Sequence, residues 1–429
     1  MSNKIVISDF SDPVLTDDQR FFVERAEREP VDLSAASVLD GAVRRTGMDD
    51  FGPDDFRERI QLLIDEVDAD DNATEFSRAT LRRRLVEVLS NRLLRQDLLT
   101  RHPEIHDVRI ERPIIVAGLP RSGTTHLLGL VAADSRLRSM PLWEAAEPIA
   151  KASERPGADG VDPRYARSER RWESLQRLNP LMAPFHPMDP EHIHEDIELQ
   201  CPNIASYYWE WMFKVPGWRD HYLAADQTPH YEFARTTLQA MTWQDGIDRR
   251  WVLKCPQHFE QLPALINVYP DALVVFTHRD PLASLQSMIT ENAYEGRFRE
   301  KKVDVEWHVA YWTDRVRRIL EAYVRDSHLV PADQRLDVDF DRLVSDGDAV
   351  LEELYAVAGL SVTDQSRAER AAYADNHPRR KHGEIDNDLA RNFGVDVDAI
   401  REQFSFYYDE VPSTAGHRGE SLVGHGLGA

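Results

Sequence analysis

The sequence predicts an α/β protein: a parallel sheet flanked by helices, with a helical N-terminal extension and a helical, aromatic-rich insertion. Three observations predict it. Short apolar runs at 113–117, Trp251–Leu253, Ala272–Thr277 and Leu336–Phe340 are each followed by a helical pattern. Apolar strands that alternate with helices form a parallel sheet covered on both faces. Residues 1–108 lack such runs, and residues 150–248 interrupt them with helical, aromatic-dense sequence.

The extension, 1–108, repeats apolar residues at spacings of three and four: Leu62, Leu63 and Val67, then Leu81, Leu85, Val88, Leu89 and Leu93. That period marks amphipathic helices, and Asp49–Asp50 and Pro53–Asp54 punctuate their starts. No constellation in this stretch suggests chemistry, so it is expected to pack on the catalytic part. The α/β domain follows over 109–415, and 416–429 is a tail.

The run at 113–117 leads into Gly118-Leu119-Pro120-Arg121-Ser122-Gly123-Thr124-Thr125 and then a helical pattern, Leu127, Leu128, Leu130 and Val131. Glycines five apart between a strand and a helix let the backbone turn tightly and aim N–H groups at an anion. The helix start adds its positive end, and the hydroxyls of Ser122, Thr124 and Thr125 add donors. The loop is therefore P-loop-like. A nucleotide triphosphatase needs a lysine where Thr124 stands. The cation here is Arg121, inside the loop, which suits a nucleotide with one 5′-phosphate and a different transferable group.

The insertion, 150–248, carries Trp172, Phe185, Tyr207, Tyr208, Trp209, Trp211, Phe213, Trp218, Tyr222, Tyr231 and Trp243. These residues fill a helical core or line an apolar acceptor pocket, and the two readings are compatible. His186, His192, His194, Glu195, Asp196 and Glu198 crowd together in the same stretch. Their spacing matches no zinc signature, so no metal is expected. Beyond the insertion, Lys254 ends one strand and Arg279 another, at the ligand-bearing edge of a parallel sheet. Ser287 follows Arg279 by eight residues.

Together these segments resemble the PAPS-dependent sulfotransferases, closest to a bacterial group with a helical N-terminal extension; the loop and the Arg–Ser region are also similar to tyrosylprotein sulfotransferases. The resemblance covers roughly 110–410, with the insertion divergent. It implies that Gly118 and Pro120–Thr125 hold the 5′-phosphate of PAPS, and that Arg279 and Ser287 hold its 3′-phosphate. Arg380 and Lys381, in Arg379-Arg380-Lys381-His382-Gly383, would close over that phosphate. It further implies that Arg121 and Lys254 stabilise the departing adenosine 3′,5′-bisphosphate. Either Glu144 or His258 would take the acceptor proton. Phe340 stands where cytosolic members carry Tyr, and His382 splits the usual Arg-Lys-Gly order.

The bulk properties agree. A net charge of −23 argues against a nucleic-acid partner, since that binding neutralises phosphates. The anion site must then be a positive island in a negative protein. Two cysteines, no apolar run of bilayer length and no basic-then-apolar leader predict a cytoplasmic protein. The acceptor is expected to be a small hydroxylated molecule such as a lipid, sterol or phenol. Two other readings stay open. A kinase or nucleotide hydrolase using ATP would need Asp280 as a magnesium ligand, and a non-catalytic nucleotide-binding protein would have kept the loop without the chemistry.

Overall fold

The computed structural model describes residues 4–415 apart from 155, 157–159, 379 and 380. The tail at 416–429 and Arg380 therefore lie outside the described residues.

Seven strands are present among the described residues: β1 (Lys4–Ile5), β2 (Ile114–Gly118), β3 (Leu137–Arg138), β4 (Arg250–Lys254), β5 (Leu273–His278), β6 (Arg335–Asp339) and β7 (Glu384–Ile385). Five of them form one all-parallel sheet in the order β3-β4-β2-β5-β6. Every residue of β2 and β5 is buried, as a sheet covered by helices on both faces requires. The chain leaves the central β2, builds β3 and β4 on one side, then crosses to build β5 and β6 on the other. Ligands of open α/β sheets bind at the strand C-termini where the order reverses. Here that point is the end of β2, between Lys254 of β4 and His278 of β5.

The four predicted strands occur at the predicted places, with one trimmed: Phe340 begins the helix Phe340–Ser345 instead of ending β6. The Asp339 side chain caps that helix by accepting from the Asp341 and Arg342 amides, which ends the strand one residue early. The sequence reading missed β3, β1 and β7. Each has only two residues, too few to show a period. β1 belongs to the extension, yet it pairs in parallel with β7.

The extension folds as the helices Asp17–Arg28, Ala35–Thr46, Phe56–Ala69 and Glu75–Arg101. Thr16, Ser34 and Thr74 cap three of them through their side chains. The apolar faces of these helices do not make a core of their own. Leu63, Leu81, Leu85 and Val88 pack with Trp209, Phe213, Trp218 and Tyr222 of the insertion in one cluster. Much of the aromatic density of 150–248 is thus core shared with the extension. None of the helices among the described residues is long and apolar enough to cross a membrane.

Glu300 ties three regions together. Its carboxylate accepts from Asn72 of the extension (3.2 Å), Lys214 of the insertion (2.9 Å) and His308 of the α/β domain (2.7 Å). Burial raises its pKa, but His308 and Lys214 outweigh that and hold it at about 2. A folded pKa below the unfolded one adds stability above about pH 4.3, and that stability is lost as pH falls toward 2. Glu300→Gln is expected to cost roughly 3 kcal/mol at neutral pH and much less in acid. Denaturant unfolding at both pH values checks it; an equal deficit at both would contradict it.

Candidate functional site

The loop after β2 is shaped by two glycines. Gly118 pairs with Thr277 of β5, and a Cβ there would meet the Thr277 hydroxyl at 2.2 Å. Gly123 has φ +90°, and a Cβ there would meet the Phe340 ring at 2.9 Å. Ser122 fastens the turn, donating to the Leu119 carbonyl (2.6 Å) and lying 2.8 Å from Thr277 Oγ1. The helix Thr124–Ala132 starts directly behind. Arg121 sits between the glycines in the left-handed region, φ +69°, which costs a non-glycine residue about 1–2 kcal/mol. Such strain persists where the surroundings enforce it, commonly at functional sites.

Those surroundings bring the distant residues to the loop. Arg121 Nε donates to Ser287 Oγ (3.0 Å), and Arg121 Nη1 donates to the Phe185 carbonyl. Arg279 Nη1 donates to the Arg121 carbonyl (2.6 Å), and its guanidinium lies 4.3 Å from the Phe340 ring centroid. Ser287 reaches the loop because the helix Pro281–Arg299 runs back past it. Phe340, read from sequence as a departure, is the stacking surface for Arg279 and the wall against Gly123. On the other side, Lys254 is 1% exposed. Its ammonium donates to Thr125 Oγ1 (3.1 Å) and to Glu195. Arg121, Lys254 and Arg279 therefore form a local cationic site on a strongly acidic chain.

The late basic loop is not brought into this cluster by any described contact. Lys381 is exposed, and its ammonium donates to the Asn376 carbonyl (3.1 Å).

Both predicted bases are engaged by protein partners in the structure. Glu144 is buried in an ion pair with Arg138 (2.6 Å), which also holds Asp245 (2.8 Å). Arg138 lies over Trp251, 4.7 Å from its ring centroid. Trp251 precedes Lys254 by three strand residues, about 10 Å along the sheet. Glu144 thus serves the wrong end of β4. His258 is 2% exposed, and both ring nitrogens are engaged, one with Asp196 (3.1 Å) and one with the Tyr231 hydroxyl (2.8 Å). No nitrogen remains for an acceptor.

The His/Glu stretch turns out to be adjacent to the cations. Glu195 takes Lys254, Asp196 takes His258, and Glu198 takes Arg84 from the extension. The rings of His186, His192 and His194 lie 5.0–6.2 Å apart. Burial pushes all three far below the usual histidine range, with Lys254 adding to it, His192 to about 3. They stay neutral beside the ammonium. Among the described residues no group of three or more His, Cys, Asp and Glu is arranged to hold a metal ion. Asp280 is also committed: it caps the helix at Leu282 and accepts from Tyr408 (2.6 Å) and Arg401 (3.2 Å). The ATP reading thereby loses its one proposed magnesium ligand.

A parallel sheet with a glycine-rich loop at its switch point, an arginine in place of the P-loop lysine and a distant Arg–Ser pair folded onto that loop defines a group-transfer enzyme acting on an anionic donor. The chain belongs to the sulfotransferase family, whose profile matches residues 113–364; its reaction is sulfuryl transfer. Two solved structures are similar across nearly their whole length. Sulfotransferase STF1 from Mycobacterium tuberculosis is 29% identical with a TM-score of 0.75, over 87% of this chain and 98% of that one. Sulfotransferase STF9 from Mycobacterium avium is 23% identical with a TM-score of 0.76, over 88% and 97%; at that identity the likeness is one of fold. No curated protein sequence matches the chain.

Proposed function

We propose that the donor is PAPS and that the chain moves its sulfuryl group to a hydroxyl on a small acceptor. One observation carries this reading: Arg279 and Ser287 fold onto the loop that Arg121 occupies. A loop for a 5′-phosphate and a clamp beside it suit a nucleotide phosphorylated at both ends of its ribose. The backbone amides of 123–125, where the helix starts, face the 5′ end. Arg279 and Ser287 read the 3′-phosphate.

Transfer then proceeds in line through a loose transition state, with charge growing on the 5′-phosphate oxygen that leaves. Arg121 and Lys254 stabilise that charge. Thr125 and Glu195 hold the Lys254 ammonium in place. The aromatic density of the insertion supports an acceptor with a hydrophobic body, such as a lipid, sterol or phenol.

Adenosine 3′,5′-bisphosphate is expected to raise the melting temperature far more than ATP with magnesium. A ligand at about 100 times its Kd stabilises by about 2.7 kcal/mol. Differential scanning fluorimetry with both ligands checks this, and stabilisation by ATP alone would overturn the donor assignment.

A further inference from the structure

Of the four charged side chains on the helix Pro281–Arg299, three have ion-pair partners among the described residues, and Glu291 is the fourth. Glu291 lies one turn beyond Ser287, a spacing that places side chains on one face about 5–6 Å apart. It is 3% exposed. Among the described residues its carboxylate makes no hydrogen bond or ion pair. The charges that face it are Arg121 from the loop, Glu195 from the histidine-rich stretch, and Glu295 and Arg299 from its own helix. Each of those is already committed. Arg121 holds Ser287 and the Phe185 carbonyl, and Lys254 holds Glu195. Arg299 pairs with Glu295, which also accepts from Asn179 (3.0 Å).

Burying a carboxylate without partners is costly, so a fold that keeps one beside a cationic loop retains it for a purpose that needs an open oxygen. Both predicted bases are engaged elsewhere, and Glu195 is occupied by the Lys254 ammonium. We infer that Glu291 takes the proton from the acceptor hydroxyl as the sulfuryl group arrives. The inference rests on the sulfuryl-transfer reading above. The new bond joins the acceptor oxygen to sulfur, and the bond from sulfur to the 5′-phosphate oxygen breaks, its electron pair leaving on adenosine 3′,5′-bisphosphate. The hydroxyl proton ends on a Glu291 oxygen. Burial pushes the Glu291 carboxyl up to about 7, against the pull of Arg121, which matches a base to neutral pH.

The test uses the full chain with PAPS and water as the attacking hydroxyl, following sulfate release, with adenosine 3′,5′-bisphosphate affinity measured in parallel. Wild-type release is expected to rise with pH through about 7 and level off, and Glu291→Gln to fall by on the order of 100-fold and lose that rise. Glu291→Asp should keep the rise at a reduced rate. Nucleotide affinity should stay within about two-fold in both variants, since neither removes a phosphate contact. A carboxyl raised above its unfolded pKa is stabilising below that value, and the contribution is lost as pH rises through the folded pKa. Glu291→Gln should therefore melt higher than wild type at about pH 8, whereas a mere counter-ion to Arg121 would melt lower on neutralisation. A Gln variant with wild-type rate and slope, or one that melts lower at that pH, overturns the role. A wild type that does not bind adenosine 3′,5′-bisphosphate sinks the donor reading instead, and the melting comparison still judges Glu291.

Discussion

Arg121→Ala is expected to reduce sulfuryl transfer by on the order of 10³-fold, the scale seen when a preorganised cation or donor is taken from a charge-developing transition state. The guanidinium is the only cation inside the loop, and its position is fixed from three directions: Ser287 and the Phe185 carbonyl accept from it, while Arg279 holds its backbone carbonyl. Such fixing lets it act without reorganising as charge develops. Alanine also removes the contacts that hold the loop at this residue, so Arg121→Lys is the companion variant. Lysine keeps the charge but loses the forked geometry that reaches Ser287 and Phe185 together, and it should recover only part of the rate. Production of adenosine 3′,5′-bisphosphate from PAPS measures both. Near-wild-type turnover by the alanine variant would remove Arg121 from the transition state.

The legible part of this protein was the part written as local pattern. β2, β4, β5 and β6 read as apolar runs because both faces of the sheet are buried. The loop read as an anion cradle because Gly118 and Gly123 stand where any Cβ would collide. The eight-residue spacing from Arg279 to Ser287 was visible, but that the helix returns Ser287 to Arg121 is a tertiary fact. The partners of Glu144 and His258 were hidden for the same reason. A carboxylate after the loop helix and a histidine after Lys254 have the right chemistry, yet sequence does not reveal that Arg138 and Asp196 claim them. Glu291 was passed over because a lone glutamate inside a helix gives no signal; its distinction is the absence of a partner, which only packing discloses. Phe340 stood out only as a departure from the Tyr of cytosolic members, whereas its ring supports Arg279. The extension was expected to pack on the catalytic part, but that its apolar faces are completed by Trp209 and Trp218, far along the chain, is a tertiary fact.

The donor clamp yields the second large effect, and it is one of selectivity. Arg279→Ala combined with Ser287→Ala is expected to weaken adenosine 3′,5′-bisphosphate by roughly 3–5 kcal/mol, since each charge-assisted contact to a phosphate contributes about 1.5–3 kcal/mol. Adenosine 5′-monophosphate, which lacks only the 3′-phosphate, should lose little. The comparison matters because Arg279 does two things: it faces the clamp and it steadies the Arg121 carbonyl at 2.6 Å. Damage to the loop alone would weaken both nucleotides alike, as loss of the 5′-phosphate cradle must. Loss of the clamp weakens only the doubly phosphorylated one, and the preference for it collapses by on the order of 10²–10³-fold. Phe340→Ala separates the two roles further. It removes the ring beneath Arg279, 4.3 Å away, while leaving every phosphate donor in the chain, so it should cut the same preference by a smaller factor, about 3–10-fold. Calorimetric titration of both nucleotides against the three proteins decides the matter, and equal losses for the two ligands would mean that Arg279 and Ser287 shape the loop and do not read the 3′-phosphate.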